Sequence, residues 1–146
     1  MLIREMTEAD LDEVSRIEWE TFSDPWSKTS FLESISEQNN YYLVALINDI
    51  IVGYCGYCGV LDEGYIYNVA VDSSYRRRGI GYKIVKEVII HAARRGIHGL
   101  TLEVRISNKA AIYLYKRHGF VELGIRKDFY TSPIEDAITM WKCPIQ

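Results

Sequence analysis

The run VAVDSSYRRRGIGY at residues 69–82 constrains this chain more than any other stretch. Val69, Ala70 and Val71 read as the end of a buried strand, and Asp72-Ser73-Ser74 as a polar turn. Gly79 and Gly81 then open the longest helical pattern in the sequence. The first N–H groups of a helix have no partner inside it, and the helix dipole is positive at that end. A phosphate fits there. Arg76, Arg77 and Arg78 add charge and forked donors beside it, and two residues without side chains let a ligand approach the backbone. An ordinary strand–turn–helix junction with a solvated basic turn can carry the same glycines, so the flanking sequence decides between the two.

Hydrophobic spacing supplies the remaining elements. Leu2–Glu5 reads as a short strand, and Thr7 as the cap of a helix with Leu11, Val14, Ile17 and Phe22 on its apolar side. Asp24-Pro25 interrupts it, and Ser27 caps a second helix carrying Phe31, Leu32 and Ile35. Residues 41–47 and 50–61 form a hairpin around Asn48-Asp49. A turn at Asp62-Glu63-Gly64 leads into a strand at 65–71. The helix at 79–95, with Ile80, Ile84, Val88 and Ala92 on one side, stops at Gly96. A strand at 100–104, a helix from Asn108 to Gly119, and strands at 121–130 and 137–143 around Ser132-Pro133 complete the chain. The order β-α-α-β-β-β-α-β-α-β-β predicts an α/β mixed sheet. Its middle is antiparallel, one parallel crossover joins 65–71 to 100–104, and helices cover both faces.

A length of 146 residues predicts a single domain over 1–146 with a sizeable core. The net charge of −3 gives the whole molecule no pull toward nucleic acid or an anionic membrane, so the arginine cluster reads as a local anion site. No stretch approaches the roughly 18 apolar residues that span a bilayer. The start MLIREM lacks the basic and apolar regions of a signal peptide, and a cytoplasmic location is expected. Three cysteines argue against a disulfide framework. Cys55 and Cys58 fall three apart in a strand and so face opposite ways, which suits packing better than metal binding. His91, His98 and His118 are scattered and make no metal site.

Two residues carry the chemistry. Glu103 interrupts the apolar strand Leu100–Val104, where a carboxylate is either solvated at the strand end or held as a general base. Tyr115 stands two helical turns after Asn108 and so shares its face. A phenol with an ordinary pKa of about 10 can protonate a departing thiolate. Taken singly, each is more often a structural residue.

Read together, the residues form a longer pattern. RRRGIGY resembles the R/Q-x-x-G-x-G/A pyrophosphate loop of the GNAT acyltransferases. LEVRISNKAAIYLYKRHGF at 102–120 resembles the second half of the GNAT core, and more narrowly that of the RimI-type protein N-terminal acetyltransferases. Pro25-Trp26-Ser27, Leu61-Asp62-Glu63, Asn68–Asp72, Phe129-Tyr130 and Glu135–Met140 extend the likeness over about residues 3–143. The departures are Arg76 where glutamine is frequent and Ser73-Ser74 where proline is common.

This resemblance implies the GNAT fold and acetyl-CoA as co-substrate, with no metal. It implies that Val69, Ala70 and Val71 present backbone groups to the acetyl and pantetheine portions. Arg76, Arg77, Arg78, Gly79, Ile80, Gly81 and Tyr82 would surround the pyrophosphate, and Asn108 would bond the cofactor arm. Glu103 would accept the amine's proton, and Tyr115 would protonate the coenzyme A thiolate. The acceptor it implies is a protein N-terminus, in particular the N-terminal alanine of ribosomal protein S18, on a monomer or a dimer. A small-molecule amine such as a polyamine or an aminoglycoside is the competing acceptor, and a non-catalytic acyl-CoA sensor is the reading from another class. The tail and Pro25-Trp26-Ser27 disfavour the former, and the joint presence of Glu103 and Tyr115 disfavours the latter.

Overall fold

Strands buried on both faces read as unbroken apolar runs, and the centre of this molecule is built that way. The computed structural model describes residues 1–146. It contains β1 (Leu2–Glu5), α1 (Leu11–Thr21), α2 (Lys28–Ser36), β2 (Asn40–Ile47), β3 (Ile50–Val60) and β4 (Glu63–Val71). Then follow α3 (Ile80–Arg94), β5 (Gly99–Arg105), α4 (Lys109–Arg117), β6 (Val121–Thr131) and β7 (Ile134–Lys142). The expected element order and mixed α/β class are both present. One seven-stranded sheet runs β1-β2-β3-β4-β5-β7-β6, antiparallel except between β4 and β5.

Alternation along β2 divides the core. Leu43 and Ala45 join α3 and α4 in one cluster, around Ile84, Val88, Leu100, Leu102 and Met140. Tyr42, Val44 and Leu46 join α1 and α2 in the other, around Leu11, Val14, Ile17 and Phe31. Leu11, Val14 and Ile17 are fully buried, as their spacing predicts, and each such side chain contributes about 1.5–3 kcal/mol. Cys55 belongs to the α3–α4 side, and Cys58 sits beside Tyr67 of the other side, so the pair does face opposite ways.

Two interruptions of the sheet matter. Cys55 pairs with Val69, but Tyr57 pairs with Ile66, so Gly56 alone stands opposite Tyr67 and Asn68. That is a β-bulge, which bends and twists its strand. It lets Ile66 and Val69, three apart, pack on the same side while Tyr67 and Ala70 pack on the other. The second interruption follows directly. β4 pairs with β5 only from Glu63–Gly99 to Tyr65–Thr101. Beyond that point the strands part, while β3 still pairs with Val69, Ala70 and Val71, and β7 still pairs with β5 as far as Arg105.

Some boundaries differ from expectation. β4 starts at Glu63, because Glu63 and Gly64 already pair with Val60 and Gly59, and the turn is carried by Leu61 at φ 57°. β7 starts at Ile134, since Thr131–Ile134 and Tyr130–Glu135 pairs extend the last hairpin beyond its apolar part. Thr7 stands at the N-cap position, as expected, in a capping box with Asp10. Its N–H and hydroxyl both donate to the Asp10 carboxylate, at 2.8 and 3.3 Å, ahead of a 3₁₀ turn at Glu8–Asp10. The Arg4 fork holds that carboxylate from the other side at 2.7 and 2.9 Å. Ser27 caps α2 as expected, accepting from the Ser30 N–H at 3.1 Å.

A Cβ at Gly56 would lie 2.2 Å from the Tyr42 ring. Gly56→Ala should therefore cost about 1–3 kcal/mol, the usual penalty for overpacking a core. Gly124→Ala, with nothing within 4 Å, should stay within about 0.5 kcal/mol. Urea unfolding of both variants checks the pair.

Candidate active site

The parting of β4 from β5 leaves the β5-facing backbone groups of β4 without a strand partner in the middle of a sheet. Unpaired N–H and C=O groups inside a protein are costly unless water or a ligand meets them. Val69, Ala70 and Val71 lie on this stretch, with Ala70 buried and its neighbours half-buried.

The turn after β4 leads to the start of α3. Asp72 accepts the Ser74 N–H at 2.9 Å and a charged hydrogen bond from Arg16 of α1 at 2.7 Å. The Arg16 bond, then the Ser74 N–H, hold its carboxyl below the ordinary value. The strand end is thus tied to the opposite layer. Arg77 and Gly79 both adopt left-handed backbone, at φ 65° and 75°. Gly79 is the N-cap of α3 with no capping side chain, and no acidic residue occupies the first turn. A Cβ at Gly79 would meet no protein atom within 4 Å, so the space over it is open. Arg76, Arg77 and Arg78 are exposed. Arg76 donates to the Val71 carbonyl at 3.3 Å, and the Arg78 guanidinium lies 5.1 Å from the Tyr75 ring centre.

Ile80 and Tyr82 are used differently. The Ile80 side chain is buried in the core. The Tyr82 ring stacks on His118 at 4.1 Å with Arg117 over it at 4.5 Å. Each leaves only backbone to face a ligand at the helix start. Burial lowers the His118 pKa, which favours the neutral ring, and its Nε2 lies 3.1 Å from the Tyr82 carbonyl. Gly81 brings three elements together: a Cβ there would lie 3.5 Å from Leu114 of α4 and 3.7 Å from Val71 of β4. Asn108 is the N-cap of α4, its Oδ1 accepting the Ala111 N–H at 3.2 Å. Its Nδ2 is the group left to bond anything else.

Glu103 and Tyr115 lie on opposite sides of the sheet. Leu100, Leu102 and Val104 point into the α3–α4 core, so Glu103 and Arg105 point the other way. The Glu103 side chain is only 5% exposed, and it accepts a 2.5 Å hydrogen bond from the Tyr65 hydroxyl. Arg126 stands 3.8 Å from the same oxygen and is largely solvated, so it adds little. Tyr115 lies in the α3–α4 core, with its ring against Phe120 at 5.8 Å. Burial raises its phenol well above the ordinary value. It therefore holds its proton more firmly than a solvated tyrosine, and the close match to a thiol expected from sequence is shifted. The Tyr130 phenol, pushed up to about 12 by burial, lies within electrostatic reach of both Glu103 and Tyr115.

On the α1–α2 side, a small pocket is floored by Glu18, Tyr54 and Gly56 and walled by Trp26, Phe31, Tyr42 and Tyr67. Glu18 is 2% exposed and accepts from the Tyr54 hydroxyl and from the Trp26 N–H at 2.9 Å. Burial raises its carboxyl pKa.

The acetyltransferase (GNAT) family model matches residues 11–120. The chain belongs to the GNAT acetyltransferase family. This GNAT protein is 37% identical to the [ribosomal protein bS18]-alanine N-acetyltransferase of Escherichia coli K12, over 94% of each chain. It is 33% identical to the N-alpha-acetyltransferase RimI of Mycobacterium tuberculosis, over 92% of this chain and 87% of that one. The crystal structure of the ribosomal-protein-S18-alanine N-acetyltransferase from Escherichia coli superposes with a TM-score of 0.91, covering 99% of this chain and 94% of that chain at 35% identity.

Tyr65, Tyr67 and Arg105 of this GNAT site escaped the sequence reading. Period-two spacing puts Tyr65 on one face of β4. Its pairing with Glu103 depends on the short β4–β5 register, which no local pattern encodes.

Gly79→Val should weaken acetyl-CoA binding at least tenfold, because its side chain enters the open space at φ 75°, where a β-branched residue is also strained. Calorimetric titration of the folded variant measures this. A second expectation concerns Asp72. A lowered native pKa contributes stability that is fully present above the unfolded value of about 3.9 and is lost as pH falls through the native one. Asp72→Asn should therefore cost about 1–3 kcal/mol near neutral pH, and the gap to wild type should close on acidification. Urea midpoints from about pH 7 to pH 3 test that sign.

Proposed function

We propose that residues 1–146 form one acetyltransferase domain that acts in the cytoplasm. It moves an acetyl group from acetyl-CoA to the α-amine of a protein N-terminus, with the N-terminal alanine of ribosomal protein bS18 as acceptor. The observation that carries this reading is the opening between β4 and β5, with the Gly79 anion cradle on one side and Glu103 on the other. The name of the Escherichia coli relative supports bS18 as acceptor, and that of the Mycobacterium tuberculosis relative supports an α-amine.

The residues present fit acetyl-CoA. The free N–H groups at the start of α3, with Arg76, Arg77 and Arg78, hold the pyrophosphate, with Gly79 and Gly81 leaving it room. Ile80 and Tyr82 take part through their backbone. Val69, Ala70 and Val71 offer the unpaired edge of β4 to the acetyl and pantetheine portions, and Asn108 offers its Nδ2 to the arm. The thioester supplies an activated acyl group, so neither a metal nor a covalent enzyme intermediate is needed. Glu103, held by Tyr65, takes the proton from the incoming α-ammonium, whose pKa is near 8. Tyr115, kept protonated by burial, gives a proton to the leaving sulfur. Backbone donors on β4 that need no reorganisation stabilise the developing oxyanion.

The direct test is acetyl-CoA consumption with a peptide bearing the bS18 N-terminus, the same peptide with a blocked α-amine, and spermidine. Turnover with the first alone is expected, and turnover with spermidine alone would favour the small-amine reading. Tyr115→Phe should lower kcat roughly 10- to 1000-fold with little change in acetyl-CoA affinity. Glu103→Gln should be most impaired near pH 7 and recover as pH rises through the amine's own pKa of about 8, as read from a pH–rate profile. On a peptide carrying both amines, mass spectrometry should find the α-amine acetylated and the lysine ε-amine, at a pKa near 10.4, untouched.

A further inference from the structure

We propose that Arg105 is a positioning residue that ties the α1–α2 connection to the β6–β7 hairpin beside Glu103, and so sets acceptor affinity. The proposal rests on the acetyltransferase reading above and adds to it a role for a side chain outside the reacting pair.

Arg105 is two residues beyond Glu103 on β5 and points to the same side of the sheet. Its side chain is 23% exposed, and both ends of its fork are occupied. Nη1 donates to the Pro133 carbonyl and to the Glu135 carboxylate, each at 3.1 Å. Nη2 donates to the Ser132 carbonyl and to the Ser23 hydroxyl, each at 3.4 Å. Three of these partners lie on the β6–β7 hairpin, and the fourth, Ser23, lies on the connection between α1 and α2. The guanidinium also lies over the Tyr130 ring, 4.3 Å from its centre. One side chain thus reaches both loops and packs on the Tyr130 ring of the hairpin.

Glu135 makes the arrangement rigid. Its other oxygen accepts the Ser107 N–H at 2.7 Å, just past the end of β5. The hairpin tip is therefore anchored to β5 twice, by Arg105 and by the Ser107 backbone. The α1–α2 connection receives the Arg105 bond at its start and is held by Glu18 at the Trp26 N–H further on. Loops at a binding site lose conformational freedom when a ligand orders them, and a fixed spacing removes that cost beforehand. The planar fork is what the geometry uses. A lysine keeps the charge but cannot donate along four fixed directions or stack on a ring.

The test uses the whole protein. Arg105→Lys should raise the acceptor peptide KM about tenfold or more while kcat changes only a few-fold. The acetyl-CoA Kd should stay within about twofold, since no Arg105 contact touches the α3 loop. Glu135→Gln, which keeps the shape and removes the charge, should move the peptide KM in the same direction by less. Hydrogen exchange without any acceptor should become faster in residues 22–27 and in residues 129–135 together. An unchanged peptide KM, equal weakening of both substrates, or faster exchange in the hairpin alone would each overturn the proposal. If the wild-type protein acetylates no peptide α-amine, the acetyltransferase reading fails instead, and the exchange measurement still decides whether Arg105 ties the two loops.

Discussion

Everything at this site depends on β4 leaving β5 after three paired residues. A central strand pair gives up its hydrogen bonds only where something else takes them, because buried amides and carbonyls are costly when unmet. The bulge at Tyr67–Asn68 makes the departure possible by turning β4 while β3 keeps hold of it. The opening connects two layers with different chemistry. The α3–α4 layer presents a helix start and exposed arginines, and the α1–α2 layer presents a buried carboxylate among tyrosines.

The sheet keeps those layers apart and brings their ends together. Gly81 allows α3, α4 and the end of β4 to meet, so the anion cradle is fixed against the strand that carries the free backbone groups. Asp72 and Arg16 tie the same turn to α1 at the end of β4. On the far side, Glu103 is oriented by Tyr65 and bordered by Arg105, both from strands rather than loops. In the proposed reaction these groups sit on strands, and such positioning is how a fold contributes to rate.

Much of this was legible in the sequence, for identifiable reasons. The cradle is encoded locally: glycines, arginines and a strand before a helix occupy consecutive positions. The apolar faces of α1 and α3 follow from helical spacing alone, and Ser27 was readable as a cap. Local patterns misled where a long-range partner competed. Glu63 and Gly64 look like a turn but are drawn into strand by pairing on both sides. Ile80 and Tyr82 sit inside the glycine motif, yet their side chains belong to the core and to His118.

The sequence by itself determined the order of elements, the two-sided burial of the central strands and the glycine-opened junction before α3, because each depends on residues near one another in the chain. The tertiary structure decided what meets across the opening. Tyr65 reaches Glu103 across 38 positions, and Arg105 reaches Ser23 across 82. Those contacts depend on strand register and on where β4 parts from β5. Both are set by a bulge whose only local mark is a glycine, Gly56, on the neighbouring strand.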